Sequence, residues 1–207
     1  MGNSFWKFCW FTIISLALVT HLLAESAVVK NVTVCLEEGR YGGWPANHGI
    51  WNWGNEILVG FELGYFKASE ERHAIDRTRF REHLLARSLD GGESWSVERP
   101  AALIPPAPET DVTETGIRLG KKPKQFKGRI PFQHPGFLLT ARRMGGSTGP
   151  SRFYYSLDRG REWEGPFEFP DLGTPGIAAR TDYIVESNDE LSIFLTSAKS
   201  DGTEGRA

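Results

Sequence analysis

An eight-residue pattern occurs twice in this chain and constrains its fold more than any other feature. The two copies are Ser88–Trp95, which reads SLDGGESW, and Ser156–Trp163, which reads SLDRGREW. Both match Ser-x-Asp-x-Gly-x-x-Trp. A Ser or Asp side chain can hydrogen-bond the backbone two residues on, Gly accepts a positive φ, and Trp offers a large apolar face. Each copy therefore predicts a tight hairpin.

The residues around each octet indicate where the hairpin lies in a sheet. An apolar run precedes each copy, at 83–87 and 153–155, and a segment bearing a Trp follows it. Such runs on both sides of a turn are typical of neighbouring antiparallel strands. We therefore predict that each octet joins the third and fourth strands of a small antiparallel sheet.

The repeated octet resembles the Asp box of the sialidase (neuraminidase) superfamily, whose members are also called BNR-repeat proteins. The resemblance extends from about Gly39 to the C-terminus. It implies an all-β fold, a six-bladed β-propeller, of which this chain would contain the N-terminal two to three blades. Asp boxes in that family lie at the blade periphery, away from the substrate, so the resemblance implies a structural role for the box residues. These are Ser88, Asp90, Gly92, Trp95, Ser156, Asp158, Gly160 and Trp163.

The predicted strands group into blades around the two octets. The first blade comprises strands at about Gly49–Trp53, Glu56–Glu62, His83–Ser88 and Ser94–Glu98, with a long loop at Gly64–Arg81. The second comprises Gly136–Arg142, Arg152–Ser156 and Glu162–Phe169, with a short or irregular strand near 129–132, and the third begins with Asp182–Glu186 and Leu191–Thr196. A leading strand is also predicted at Val32–Leu36.

The spacing of the octets bears on the length of the complete protein. Ser88 and Ser156 lie 68 residues apart, whereas propeller blades are about 40 to 50 residues long. A Pro-rich excursion at 99–128 accounts for the surplus. A blade buries its faces only against neighbouring blades. Because two to three of six expected blades are present, we expect this chain to be the N-terminal portion of a longer protein or a truncated product.

The first 26 residues are predicted to be a secretory signal peptide. Lys7 precedes the apolar run Phe8–Leu18, and small residues follow at 24, 26 and 27, where cleavage could occur. The alternative is a single membrane anchor, but the run is short for a span of about 20 apolar residues. We therefore predict a secreted or periplasmic protein without a stable membrane span, whose partial propeller domain comprises residues 27–207.

Composition excludes several classes of function. The chain has 207 residues, 40% of them hydrophobic, with seven Trp, which favours a folded domain over disorder. The net charge is −2, which gives no indication of nucleic-acid binding. Metal-ligand spacing, a phosphate-binding Gly loop and a Ser-His-Asp elbow are all missing from the sequence. No metal and no organic cofactor is therefore predicted.

Arg40 is the first candidate for substrate binding. It leads into the first blade, where sialidases place the first member of an arginine triad, although the family's usual Arg-Ile-Pro is missing here. Sialic acid carries a carboxylate at its anomeric carbon, and Arg binds carboxylates bidentately. The alternative is an ordinary surface residue at the start of a strand.

The loop before the first Asp box supplies the candidate catalytic residue. Sialidases place an Arg and then an Asp in this loop, and Arg72 and Asp76 match that order. The resemblance implies that Asp76 is the general acid/base and that Arg72 contacts the substrate. Neighbouring Arg residues would lower the pKa of Asp76, which opposes the acid role. The alternative is a solvated charged loop.

Three further substrate-binding candidates precede or begin the innermost strands of the second and third blades, where they would face the central axis. They are His134, Arg180 and Asp182. Arg180 is the candidate for the second carboxylate-binding arginine, and Arg206 fits the order of these arginines in sialidases almost as well.

The resemblance implies an exported glycoside hydrolase of the exo-α-sialidase type, which removes terminal sialic acid or a related acidic sugar from glycans. The alternative is a non-catalytic Asp-box propeller that binds glycans or proteins, and a third is a non-functional fragment. No nucleic-acid partner is expected.

Overall fold

The computed structural model describes residues 29–103, 121–143 and 150–206, and the described residues from Val32 onward form one compact unit. The predicted signal peptide and residues 104–120 of the Pro-rich excursion lie outside the described residues. Within them, no helix is long and apolar enough to cross a membrane.

The described strands form three antiparallel sheets, which confirms the all-β prediction. In the first sheet, β3 is paired on one side with both β1 and β2, and on the other side with β4, which pairs with β5. A short helix, α1, separates β1 from β2. The elements are β1 (Arg40–Gly43), α1 (Pro45–His48), β2 (Ile50–Trp53), β3 (Glu56–Tyr65), β4 (Glu82–Ser88) and β5 (Ser96–Glu98).

The second and third sheets each have three strands in sequence order. The second contains β6 (Leu138–Arg143), β7 (Ser151–Ser156) and β8 (Glu164–Glu168). The third contains β9 (Ile177–Val185), β10 (Leu191–Ala198) and β11 (Glu204–Arg206). All neighbouring strands are antiparallel.

Alternation along β3 and β4 gives the first sheet two different faces, because successive side chains of a strand point to opposite sides. One face carries apolar residues that pack against Trp95 and Val97: Val59, Phe61, Leu63, Leu84 and Ala86. The other face carries Leu58 and Leu85, which pack against residues of the second sheet: Leu138, Tyr154 and Trp163. Glu62 and His83 lie on this second face as cross-strand partners.

The close packing of the first two sheets requires a glycine in the second Asp box. Gly160 has a φ of +79°, and a Cβ there would lie 2.6 Å from Cδ2 of Leu58. Any larger residue would therefore combine backbone strain with a clash in the core.

Both Asp boxes form the predicted hairpins, between β4 and β5 and between β7 and β8. The second box, however, joins the second and third strands of its described sheet and not the third and fourth, because residues 129–132 form no strand. In the second box the Ser156 hydroxyl donates to Asp158 Oδ1 (2.7 Å) and accepts the Gly160 N–H (2.9 Å). Asp158 Oδ1 also accepts the Glu162 N–H (3.0 Å), and the Trp163 indole donates to the Gly160 carbonyl (3.0 Å).

The first box repeats this arrangement with Ser88, Asp90, Gly92 and Trp95. Hydrogen bonds from the side chain and backbone of Ser94 lower the pKa of Asp90 to about 2. Burial acts to raise the pKa of Asp158, but hydrogen bonds from the Glu162 N–H and the Ser156 hydroxyl outweigh it and leave this pKa lowered. Both Asp side chains therefore hold their own turns as carboxylates.

Asp158→Ala should destabilise the protein by roughly 1 to 2 kcal/mol, because it removes a carboxylate that organises the turn as a helix cap does. Urea unfolding followed by circular dichroism measures the change. Glu162→Ala is the matched control, since its exposed side chain lies in the same hairpin, and it should change stability by less than about 0.5 kcal/mol. Equal effects of the two substitutions would contradict the structural role of Asp158.

Two predicted strands differ from the structure. Residues 32–36 do not form a strand, because Val34 and Cys35 pack onto the face of the first sheet instead of pairing with an edge. Residues 129–132 likewise form no strand: Pro131 has no N–H to donate, and Ile130 is buried against Phe137 and its neighbours. The third sheet starts earlier than predicted, at Ile177, so Arg180 and Asp182 lie within β9.

Candidate functional site

A group of charged and polar side chains is buried where β3, β4 and β6 meet the end of α1. We call it the buried polar cluster, and its members are His48, Glu62, Arg81, His83 and Arg142. Glu62 and His83 are 7% and 8% exposed, and Arg142 is 1% exposed. Buried ionisable groups are costly unless paired, so their concentration here is the main functional indication in the structure.

Glu62 is the centre of the buried polar cluster. Its Oε1 lies 3.2 Å from Nε2 of His48 and 3.7 Å from Nε2 of His83, and its Oε2 accepts a hydrogen bond from Nη1 of Arg81. The two imidazole rings have centroids 5.0 Å apart. One carboxylate therefore binds one guanidinium and faces two imidazoles.

Glycine allows α1 to approach β3 closely enough for this arrangement. A Cβ on Gly60 would lie 2.8 Å from both Cβ and the carbonyl oxygen of His48. At the end of the helix, Gly49 has a φ of +95° and returns the chain into β2. These two glycines place His48 over the face of β3 that carries Glu62.

Arg142 is buried with only part of its hydrogen-bonding capacity used. Its Nη1 donates to Oγ1 of Thr140 (2.6 Å) and to the Ala141 carbonyl (3.2 Å). Within the described part of the chain, Nε and Nη2 have no hydrogen-bond partner. Burial lowers the pKa of Arg142 to about 10, against the opposing effects of Tyr154 and Glu62. The side chain is therefore still a cation at neutral pH.

The buried polar cluster carries excess positive charge. Burial, followed by the charge of Arg142, lowers the pKa values of His48 and His83 well below their usual 6.5, so both rings are neutral at pH 7. A single carboxylate, Glu62, then faces the two guanidiniums of Arg81 and Arg142. A cluster of this charge favours binding of an anion, and a carboxylate suits the two unused nitrogens of a guanidinium.

Aromatic residues connect the buried polar cluster with the surface. The Arg81 guanidinium lies 5.3 Å from the centre of the Trp44 ring, and the Trp44 ring meets the exposed His73 edge-on, with centroids 5.1 Å apart. Trp44 adopts a left-handed backbone conformation with φ of 53°, which is uncommon outside glycine and is concentrated at functional sites.

The structure brings Arg40 and Asp76 to the two sides of Tyr65. Arg40 is the cross-strand partner of Tyr65, and the Asp76 N–H donates to the Tyr65 carbonyl (2.8 Å). Arg40 also donates to the Gly64 carbonyl (2.7 Å) and to Oε2 of Glu82 (2.7 Å). Its guanidinium is thus already engaged with the first sheet.

Asp76 lies in a turn that uses its own carboxylate. Oδ1 accepts hydrogen bonds from the Thr78 hydroxyl (2.7 Å) and the Thr78 N–H (3.0 Å). These bonds, the hydroxyl first, lower the pKa of Asp76. Arg72, in the same loop, is exposed, and its N–H donates to Oγ of Ser69 (3.2 Å).

His134 is not part of the buried polar cluster. It is exposed, and its Nδ1 accepts the Gly136 N–H (3.1 Å) in the turn before β6. The second Asp box lies at this end of β6, where the Arg159 N–H donates to the Gly136 carbonyl (2.9 Å). Arg142 lies near the opposite end of the strand.

Arg180 and Asp182 lie beside α1. Arg180 donates to Oδ1 of Asn47 (3.1 Å) and to Oγ1 of Thr196 (3.2 Å). The exposed Asp182 lines a groove of about 570 Å³ together with Ala46 and Tyr183. Thr181, which lies between Arg180 and Asp182 in β9, hydrogen-bonds Thr140, and Thr140 accepts a hydrogen bond from Arg142. These contacts link the groove to the buried polar cluster.

Comparison with protein-family models, with curated proteins and with solved structures finds no match to this chain. The sequence and the geometry of the site are therefore the basis for a functional proposal.

Sequence reasoning missed His48, Glu62, His83 and Arg142. A partial signal was present, because Glu62 and His83 are ionisable residues next to apolar residues in buried strands. Their juxtaposition depends on the pairing of β3 with β4 and on the approach of α1, neither of which local spacing reveals.

Proposed function

We propose that this chain belongs to an exported sialidase-like glycoside hydrolase that removes terminal sialic acid or a related acidic sugar from glycans. The observation that carries the proposal is the excess positive charge of the buried polar cluster, beside two sheets that each carry an Asp box. The six-bladed propeller is part of the same proposal, in which the three described sheets are successive blades around a common axis.

In this proposal the sugar carboxylate binds to the guanidinium groups of the buried polar cluster. Arg142 has two unused nitrogens, and a carboxylate there would satisfy them while neutralising the excess charge. Arg81 and Trp44 provide polar and aromatic contacts between that position and the surface. A sugar ring presents both hydroxyls and an apolar face, which such a mixed lining can accommodate.

The proposed general acid is Asp76, which donates a proton to the glycosidic oxygen as the bond breaks. An acid must be protonated at the working pH, whereas Thr78 now holds the pKa of Asp76 low. Substrate binding must therefore draw the carboxylate away from Thr78 and exclude water, which would raise the pKa. Arg40, Arg72, Arg180 and Asp182 are the proposed further substrate contacts. His134 is left out of the proposal, because it precedes the start of β6 whereas Arg142 lies near the other end of that strand.

The engagement of the Asp76 carboxylate with Thr78 favours one alternative, a non-catalytic propeller that binds acidic glycans. In that case the cluster would bind the sugar carboxylate, and the glycosidic bond would remain intact. The two proposals share a ligand and differ only in turnover.

The test is incubation of the complete protein with a sialylated oligosaccharide, followed by chromatographic measurement of free acidic sugar. We expect release from this substrate and none from the same oligosaccharide with its carboxyl group esterified, because the ester lacks the charge that Arg142 would bind. Binding without release would favour the non-catalytic alternative. Equal binding or release of the acid and its ester would exclude both proposals.

A further inference from the structure

Three potential metal-ligand atoms in the buried polar cluster lie close together. Nε2 of His48 and Nε2 of His83 lie 3.2 Å and 3.7 Å from Oε1 of Glu62, and the three residues offer ligand atoms that all lie within 4.8 Å of one another. Ligands bound tetrahedrally to Zn²⁺ at about 2.0 to 2.2 Å are separated by roughly 3.3 to 3.6 Å. The observed spacing therefore approaches that of a metal-ligand set.

The residue types also suit a transition metal. Two imidazoles and one carboxylate form a ligand set found in catalytic zinc sites, which leaves the fourth position open. Ca²⁺ and Mg²⁺ require more oxygen ligands than this group supplies. The three side chains come from α1, β3 and β4, so the folded sheet and helix hold them in place.

A second observation points to a missing ligand. Nε2 of His83 is buried and has no hydrogen-bond partner among the described residues. This is the nitrogen that faces Glu62. A buried nitrogen without a hydrogen-bond partner is energetically unfavourable, and coordination of a metal ion by this nitrogen would supply the missing interaction.

The neighbouring guanidiniums set the character of the site. Arg81 binds Oε2 of Glu62 and leaves Oε1 available, so it can orient the carboxylate as an outer-shell partner does. Arg81 and Arg142 also repel a dication and must weaken its binding. The same positive charge favours an anion, such as hydroxide or a carboxylate, at the open position.

We propose that His48, Glu62 and His83 form a binding site for a zinc-type divalent metal ion with an open fourth position. The sequence indicated no metal, because the ligands are distant in the chain and meet only in the fold. The site goes beyond the proposed hydrolase, which needs no metal.

The test is isothermal titration of the chelator-treated full chain with Zn²⁺, in the absence of any sugar. We expect one ion per chain, and His83→Gln should weaken binding by more than about 100-fold because it removes a ligand and not only an outer-shell partner. His134→Gln is the matched control, since that imidazole is exposed and outside the cluster, and it should leave the affinity unchanged. Absence of Zn²⁺ binding, or equal binding by wild type and a folded His83→Gln variant, would overturn the proposal.

A second measurement needs no variant. Co²⁺ bound in place of Zn²⁺ should give the strong visible absorption of a four-coordinate site with nitrogen ligands, and Zn²⁺ should abolish it. Only weak absorption, as from hydrated Co²⁺, would contradict the site even if His83→Gln does not fold. Both measurements are independent of sugar turnover, so failure of the metal proposal and failure of the hydrolase proposal are distinguishable.

Discussion

Asp76→Asn should reduce turnover of a natural glycan by about 10² to 10⁴-fold in the complete protein, the usual contribution of a general acid. The amide can still accept the hydrogen bonds of Thr78, so the turn should keep its conformation, but it has no acidic proton to donate to the leaving oxygen. Steady-state kinetics on a sialylated oligosaccharide, with circular dichroism to verify folding, measures the effect.

An activated aryl glycoside provides the control for this prediction, because its leaving group departs without protonation and should be hydrolysed at nearly the wild-type rate. Equal loss on both substrates, or loss on neither, would show that Asp76 is not the acid. That result would favour the non-catalytic alternative.

Thr78→Val adds an independent check through the pH dependence. The Thr78 hydroxyl is the first cause of the lowered pKa of Asp76, so its removal should raise that pKa. A general acid is active while protonated, and its activity falls as pH rises through its pKa. The falling limb of kcat/KM, which reflects the free enzyme in which Thr78 is hydrogen-bonded to Asp76, should therefore move to higher pH in Thr78→Val. If the falling limb lies at the same pH in the variant and in the wild type, Asp76 is not the group that determines the pH dependence.

The parts of the fold that sequence predicted well are those determined by local chemistry. In each Asp box, Ser, Asp, Gly and Trp act within eight residues, so the pattern alone specifies the hairpin. The strands β3 and β4 followed from their apolar runs. Val32–Leu36 has the composition of a strand, but Val34 and Cys35 are held by packing on a sheet face, which composition does not distinguish from pairing.

The candidate site was harder to predict because it forms through long-range contacts. Arg40 and Asp76 were proposed from the resemblance to sialidases, and the structure places them on either side of Tyr65. Glu62 meets His83 through strand pairing, and His48 reaches them only because Gly60 lets α1 approach. None of these contacts can be read from a motif of fixed spacing, because the residues that meet are far apart in the sequence.

The charges of the buried polar cluster make Glu62 the residue on which its stability depends. Removing one partner of a buried ion pair typically costs about 3 to 5 kcal/mol, because the remaining charge is left uncompensated. Here Arg81 is bonded to Glu62, and the Glu62 charge also acts on Arg142. Loss of this carboxylate would leave both guanidiniums buried without an opposing charge from the cluster.

Glu62→Gln should therefore lower the free energy of unfolding by about 3 to 5 kcal/mol, measured by urea denaturation of chelator-treated protein so that no metal contributes. Asp189→Asn is the matched control, because Asp189 also pairs with an arginine, Arg129, but its side chain is 58% exposed. It should cost about 1 kcal/mol or less.

A double-mutant cycle decides whether the excess charge is the cause. If it is, Glu62→Gln should cost less in an Arg142→Met background than in the wild type, because one of the two buried cations is gone. The apolar Met fills much of the volume of the Arg stem, so packing changes should be small. The same cost in both backgrounds would show that Glu62 stabilises the fold through Arg81 and the imidazoles alone, and that Arg142 is not coupled to it. The carboxylate-binding role proposed for Arg142 would then lose its electrostatic basis.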